Sequence, residues 1–442
     1  MIPIPHRFPG SLARSTTFHI SADGLALDVL KHSAAEYASF ECAGPVRIEI
    51  TLPVAPGKVF IRPLRLGIQT EIEGRILRFT LAGPQCLQVE IAGLPLLYLY
   101  ALRPAPAAPS GPHVKRFEAG KIHDVGQVLL KSGEVCWIDA GAVLRGSIRA
   151  ECATDVRIGG YGVLEGGIWL ERGESRRKAI VLEFCTGCLV EDILMLSPCS
   201  WMVVLGGCSD VVVSGVRQIA DDVSSDGVDI VGSRRIRVSG CILHNGDDNI
   251  AIKAIRDNPG HTDRVVVPGR ENDDWDGPVE DVVVSRCIFF NTHGGSAMEI
   301  GYETSTEHIR DIRFEDIDVL AVHNFGSVFG IHTGDRARIE NITWENIRVE
   351  HHYDKLVDIR VLWSRWNRDS ERGRVRNLVF RNIRVVQNPP NAGYTLSVIA
   401  GYDAAHTVSD VLFDHFELGG RHVLNADQLD LVTRHADNVI FR

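Results

Sequence analysis

Apolar and polar residues alternate in short runs over the first hundred positions. Val46-Arg47-Ile48-Glu49-Ile50, Ile76-Leu77-Arg78-Phe79-Thr80-Leu81 and Leu87-Gln88-Val89-Glu90-Ile91 each repeat with period two, the signature of half-buried antiparallel strands. The segment Arg103-Pro104-Ala105-Pro106-Ala107-Ala108-Pro109-Ser110-Gly111-Pro112 carries four prolines and reads as a stiff linker. Residues 1–110 are therefore expected to form a small N-terminal β-sandwich domain. Residues 111–442 show a different pattern. An Asn, Asp or basic residue precedes an alternating apolar strand, as in Asp155-Val-Arg-Ile158, Asp210-Val-Val-Val213, Arg235-Ile-Arg-Val238, Asp281-Val-Val-Val284, Asp311-Ile-Arg-Phe314, Asn341-Ile-Thr-Trp344, Asn377-Leu-Val-Phe380 and Asp410-Val-Leu-Phe413. Anchors at Val211, Ile236, Val282, Ile312, Ile342, Leu378 and Val411 are spaced by 25, 46, 30, 30, 36 and 33 residues. Strand repeats of this length, with no helical period between them, predict an all-β chain whose second domain is a β-solenoid. The absence of β/α alternation disfavours a TIM barrel or Rossmann fold. A flat sandwich array would need hairpin turns such as Asn-Gly, and these are scarce.

The 46-residue interval exceeds its neighbours. Its excess, from about Arg256 to Pro278, holds His261, Arg264 and Asp273-Asp274-Trp275-Asp276. A long loop there would wall one side of a cleft, with Trp275 as a sugar platform or a loop anchor.

Composition narrows the partners. Apolar residues make up 45% of the 442, and the formal net charge is −10 with no basic run. This argues against nucleic acid or an anionic membrane as partner, and more weakly against a polyanionic substrate. Met1 to Pro9 has no charged head followed by an apolar run, so no signal peptide is expected, no membrane span is seen, and the expected compartment is the cytoplasm. Ten scattered cysteines read as reduced, mostly buried thiols. Cys185-Thr-Gly-Cys188 has no second ligand pair at zinc spacing, so no metal or cofactor is expected.

Two segments carry the chemistry: Ser224-Ser225-Asp226-Gly227-Val228-Asp229 and Asn245-Gly246-Asp247-Asp248-Asn249-Ile250-Ala251-Ile252-Lys253. Asp226 and Asp247 lie 21 residues apart, close to one coil of a parallel β-helix. Stacked on neighbouring coils, Asp226, Asp247 and Asp248 would crowd three carboxyl groups together, and one should hold a proton near neutral pH. A protonated carboxyl beside an ionised one is what glycoside hydrolysis requires.

These segments resemble the Asn-Thr-Asp-Gly-Ile-Asp and Gly-Asp-Asp-Cys-Val-Ala-Ile-Lys motifs of glycoside hydrolase family 28, the polygalacturonases, and the related family 49 dextranases. Ser197-Pro198-Cys199-Ser200-Trp201 is similar to a Ser-Pro-aromatic segment one coil earlier. The resemblance runs from about residue 115 to the end and implies a right-handed parallel β-helix and single-displacement catalysis with inversion. It also implies Asp247 as general acid, with Asp226 and Asp248 positioning and deprotonating the water. The region before residue 110 is similar to the small sandwich that precedes the helix in some bacterial relatives. Two departures stand out. The third motif, Gly-His-Gly, meets Thr292-His293-Gly294-Gly295-Ser296-Ala297-Met298-Glu299-Ile300-Gly301, where either His293 or Ser296 takes the histidine position. The fourth, Arg-Ile-Lys, which binds the galacturonate carboxylate, meets Gly330-Ile331-His332. A site without that cation pair should bind an anionic sugar poorly.

The expected activity is therefore an inverting glycoside hydrolase acting on oligosaccharides, neutral in sugar and exo in mode. Hydrolysis of galacturonan oligosaccharides is the alternative, with Arg336 or Arg338 restoring charge. Candidate substrate contacts are Lys253, His293, Glu299, Tyr302, His332, Asp335, Arg336 and Trp275; Trp363-Ser-Arg365-Trp366 is a further stacking or packing cluster. Two more distant readings stay open. One is a β-helix lyase with Ca²⁺ on Asp226, Asp229, Asp247 and Asp248; the other is a non-catalytic glycan-binding β-helix. Homo-oligomerisation through the solenoid ends or the sandwich is also left open.

Overall fold

The structure is a computed structural model that describes residues 2–174, 177–256, 274–323, 325–386 and 396–442. The chain forms two compact units. One comprises residues 1–124 with 135–145 and 159–164; the other comprises 125–134, 146–158 and 165–442.

The first unit contains a β-sandwich of a six-stranded and a five-stranded sheet. The period-two segments are its strands: Val46–Thr51 pairs antiparallel with Ile76–Leu81, and Gln85–Ile91 with Leu97–Leu102. One pairing departs from the antiparallel expectation, since Leu97–Leu102 runs parallel to Glu36–Glu41. Inward positions of both sheets, including Ile48, Phe79, Phe40 and Leu99, share one buried core, as alternation along each strand requires. Residues 103–110 carry no regular secondary structure.

The second unit is a parallel β-helix in which strands pair with the equivalent strand one coil on. The repeat anchors fall in one register column: Val211 pairs with Ile236, then Val282, Ile312, Ile342, Leu378 and Val411 follow in turn. The polar residue before each strand turns the corner. Asp155, Asp210, Asp281, Asp311, Asn341, Asn377 and Asp410 all adopt positive φ, between 56° and 61°. Asn and Asp tolerate this left-handed conformation better than other residues with a Cβ. Stacked corners also bond to one another: the Asn341 amide donates to Asp311 at 2.8 Å and that of Asn377 to Asn341 at 2.6 Å. Inside, Phe314, Trp344, Phe380, Phe413 and Phe441 stack with ring planes 5–8° apart and centroids 4.6–6.0 Å apart. Each such pair is worth about 0.5–1.5 kcal/mol beyond its burial.

Five strands build the face that matters for function. They are β1 (Val228–Val231), β2 (Ile250–Ala254), β3 (Met298–Thr304), β4 (Ser327–Thr333) and β5 (Lys355–Val361). Ile230, Ile252, Ile300, Ile331 and Ile359 align across them and are fully buried. Successive side chains on a strand alternate sides. The flanking positions therefore share the opposite face: Asp229, Ala251, Glu299, Gly330 and Asp358 in one column, with Lys253, His332 and Arg360 beside it.

Candidate active site

Val228 pairs with Ile250, an offset of 250 − 228 = 22. This is one more than the spacing between Asp226 and Asp247. Carried back along the two strands, it sets Asp226 against Asp248, and the Gly227 N–H donates to the Asp248 carbonyl at 2.8 Å. Gly227 is required by space, because a Cβ there would lie 2.4 Å from the Asn249 carbonyl oxygen. Buried amides pin the turns: Asn249 donates to Asn245 at 2.8 Å and Asn245 to Gln218 at 2.9 Å.

The result is a cluster in which carboxylate oxygens of Asp226, Asp247 and Asp248 lie within 4.8 Å of one another. Asp247 accepts the Ser224 N–H through Oδ2 at 3.1 Å and the Asp248 N–H through Oδ1 at 3.0 Å. Asp248 Oδ1 accepts the Ser296 N–H at 2.5 Å. Lys253 Nζ donates to Asp226 Oδ2 and to Asp229 Oδ1, both at 2.9 Å, and lies 4.1 Å from the centre of the Trp201 ring. Burial, helped by the charge of Asp226, pushes the Asp247 carboxyl up to about 6. Burial, then Asp247 and Glu299, holds Asp248 well above the ordinary range. Burial also raises Asp229 despite Lys253. For Lys253 burial opposes the charge, but Asp226 and Asp229 outweigh it and raise the ammonium. Asp247 and Asp248 thus hold a proton more readily than a free carboxyl does, as buried like charges at this range must.

The cluster opens into a cavity of about 340 Å³. Of the candidate residues, Asp226, Asp247, Asp248, Lys253, Glu299, Tyr302 and His332 line it. Four others sit elsewhere. His293 is half exposed and bonds Asp221 at 2.9 Å, while Ser296 takes the place beside Asp248. Trp275 is buried in a small core with Val181, Val204, Val231 and Ile255, so packing has taken its ring. Asp335 is buried and accepts backbone N–H groups of Thr304, Arg368 and Asp369. Arg336 pairs with Asp369 at 2.8 Å. Both thereby fasten the segment that carries Trp366. His261, Arg264 and Asp273 lie outside the described residues.

The cavity also takes in Trp201, Glu303, Phe325, Lys355, Asp358 and Trp366. Trp201 and Trp366 stood out in the sequence as part of aromatic segments. Asp358 did not, yet it completes a buried row: His332 Nδ1 lies 2.7 Å from Glu299 Oε1 and Nε2 lies 3.2 Å from Asp358 Oδ2. Burial works against charge on His332, but the two carboxylates outweigh it and raise the imidazole to about 9. Tyr302 stacks on it, 4.6 Å between centroids and 9° between planes. Gly330, at the departed fourth motif, leaves room for Glu299: a Cβ there would lie 2.0 Å from Glu299 Oε2.

Among the described residues, Asp226, Asp247 and Asp248 form the group that could share a metal ion. Ca²⁺ takes six to eight oxygens in general, whereas here the Lys253 ammonium already occupies Asp226. The ten cysteines are free thiols, with Cys185 and Cys188 buried.

The chain is similar to known proteins in sequence and in fold. A probable exopolygalacturonase C of Aspergillus terreus is 29% identical over 153 residues, covering 34% of this chain and 29% of that protein. A polygalacturonase of Chamaecyparis obtusa is 24% identical over 196 residues, covering 39% and 38%. The match thus spans under two-fifths of the length of these relatives. Among solved structures, Dex49A from Penicillium minioluteum superposes with a TM-score of 0.66 over 97% of this chain and 96% of its own, at 12% identity. A hyperthermoactive exopolygalacturonase from Thermotoga maritima gives 0.53 over 68% and 78%, at 16% identity; both show a shared fold. Residues 145–415 match the profile of glycosyl hydrolases family 28, more than half of the chain and the whole of the acidic cluster, and the chain belongs to that family.

Proposed function

We propose that this protein is a glycoside hydrolase that removes a sugar from the end of a neutral oligosaccharide with inversion at the anomeric carbon. The observation that carries this reading is the cluster of Asp226, Asp247 and Asp248 at the cavity floor, with carboxylate oxygens within 4.8 Å and Asp247 raised to about 6. In the proposed reaction the Asp247 carboxyl gives its proton to the glycosidic oxygen as the bond to the anomeric carbon breaks. A water held by Asp226 and Asp248 attacks the opposite face and loses its proton to whichever carboxyl of that pair is ionised. Lys253 donates to Asp226 Oδ2 at 2.9 Å and so fixes the position of that carboxyl beside the water. These carboxylates lie closer than the ~6.5–9.5 Å usual for inverting enzymes, so inversion rests on family membership and not on spacing. The exo mode is supported by the similarity to a probable exopolygalacturonase C of Aspergillus terreus.

A neutral sugar is supported by charge. Asp226, Asp247, Asp248, Glu299, Glu303 and Asp358 line the cavity against Lys253, His332 and Lys355. Hydrolysis of galacturonides is the second reading, favoured by the polygalacturonase relatives. Product release from matched neutral and uronic oligosaccharides, wild type beside Asp247→Asn, separates them. Release of neutral sugar that vanishes in the variant is the expected result. Activity on galacturonides alone would replace the first reading with the second, and equal release by both proteins would remove Asp247 from the reaction.

A further inference from the structure

Among the described residues, every cation that lines the cavity is already engaged by carboxylate. Lys253 lies between Asp226 and Asp229. His332 lies between Glu299 and Asp358. Lys355 sits 3.5 Å from Asp354 and 3.7 Å from Asp358, and donates to the Phe325 carbonyl. The Glu299 carboxylate has a particular place among these groups. It is 1% exposed, it lies in the column that runs from Asp229 to Asp358, and its Oε2 has no hydrogen-bond partner among the described residues. That oxygen lies 2.0 Å from where a Cβ on residue 330 would stand. Glu299 therefore fills the path that any side chain at position 330 would take into the cavity, and it fills it with negative charge. A buried carboxylate with an unmet acceptor repels a second carboxylate strongly, because little water screens the pair.

We infer that Glu299 is the residue that sets the substrate class: it bars a uronic acid from the position beside the acidic cluster and admits the sugar that lacks the carboxylate. His332 and Asp358 act through it. The imidazole fixes the Glu299 carboxylate by donating to Oε1, and Asp358 holds the other ring nitrogen. Tyr302, stacked on the imidazole, keeps that ring in plane. This inference rests on the proposed hydrolase reading and adds to it the residue responsible for sugar choice.

The test is a ratio of affinities in the Asp247→Asn background, where turnover is blocked. Calorimetry compares two pairs of oligosaccharides, galactose-terminated against galacturonate-terminated and glucose-terminated against glucuronate-terminated. Glu299→Gln keeps the shape and the acceptor for His332 while removing the charge. It should raise the affinity for the acidic member by about tenfold or more relative to its neutral partner, the scale on which like charges at an interface discriminate. His332→Gln leaves the Glu299 charge uncompensated and should move the same ratio the other way; a purely structural role would shift both members of a pair together. An unchanged ratio in both variants, with the neutral sugar still bound, overturns the inference and leaves the hydrolase reading standing. Preference of the protein with Glu299 intact for the acidic member overturns it as well. Failure of every form to bind any of the four sugars overturns the inference together with the glycan reading beneath it.

Discussion

Replacing Lys253 by methionine keeps the stem and removes the ammonium, which leaves two buried carboxylates facing each other without a counter-charge. Lys253, Asp226 and Asp229 have side-chain exposures of 6%, 4% and 0%, so water cannot take over the role. At 2.9 Å each pair carries about 6 kcal/mol of attraction at an effective dielectric of ~20, most of it offset by the cost of burial. Removing one partner of a buried pair typically costs about 3–5 kcal/mol, because the remaining charge is stranded. The expected loss in urea unfolding of the β-helix at pH 7 lies in that range. Asp229→Asn added to Lys253→Met removes one stranded charge and should recover about 1–3 kcal/mol of it, a coupling of the size found between contacting groups. The pH dependence follows from the directions of the shifts. Lys253 is raised in the folded state, so its contribution is complete below the unfolded value of ~10.4 and is lost only as pH rises through the folded one. Asp229 is raised by burial, so the folded variant takes up a proton there before the unfolded chain does, and the deficit shrinks as pH falls toward 4. A loss below about 1 kcal/mol, or strictly additive effects of the two substitutions, would refute the claim that the lysine neutralises both aspartates.

The same charges set the working pH. Asp247 must be protonated to act, and its carboxyl stands near 6 in the free protein, so kcat/KM should fall as pH rises through about 6. Because Lys253 lowers Asp247, Lys253→Met should move that limb to higher pH in a kcat/KM profile. Gly330→Ala drives a methyl against Glu299 Oε2 and should cost about 1–3 kcal/mol, the usual range for overpacking; thermal unfolding reads the loss, and adding Glu299→Ser should restore most of it. Asp335→Ala frees three backbone N–H groups of which two belong to Arg368 and Asp369. It should raise KM at least severalfold while leaving kcat near that of the wild type, since Trp366 rather than the acidic cluster loses its support.

Much of the solenoid was legible because its physics is one-dimensional. The column from Val211 to Val411 and the left-handed Asp and Asn corners are local decisions repeated once per coil. The aromatic ladder from Phe314 to Phe413 follows from the same repeat. The acidic cluster was legible for the same reason, although true register places Asp226 against Asp248 and not Asp247. What could not be read depends on how coils of unequal length meet. Asp358 reaches His332 across one coil, and nothing around Asp358 itself announces this. Trp275 looked like a loop aromatic, but a core accepted its ring. His293 and Ser296 are three residues apart, and only the turn between the strand Ile288–Asn291 and β3 decides which one meets Asp248. Gly330 read as a missing cation; its meaning lies in Glu299 one coil earlier.

The most direct test of the account is the anomeric configuration of the sugar first released, followed by proton NMR at early times on the oligosaccharide the wild type cleaves, with Asp247→Asn as control. The account predicts that the new reducing end appears in the configuration opposite to that of the bond cleaved, and that Asp247→Asn slows its release by about 10²–10⁴-fold, the worth of a positioned general acid. A first product of retained configuration, or release by Asp247→Asn at the wild-type rate, would contradict it.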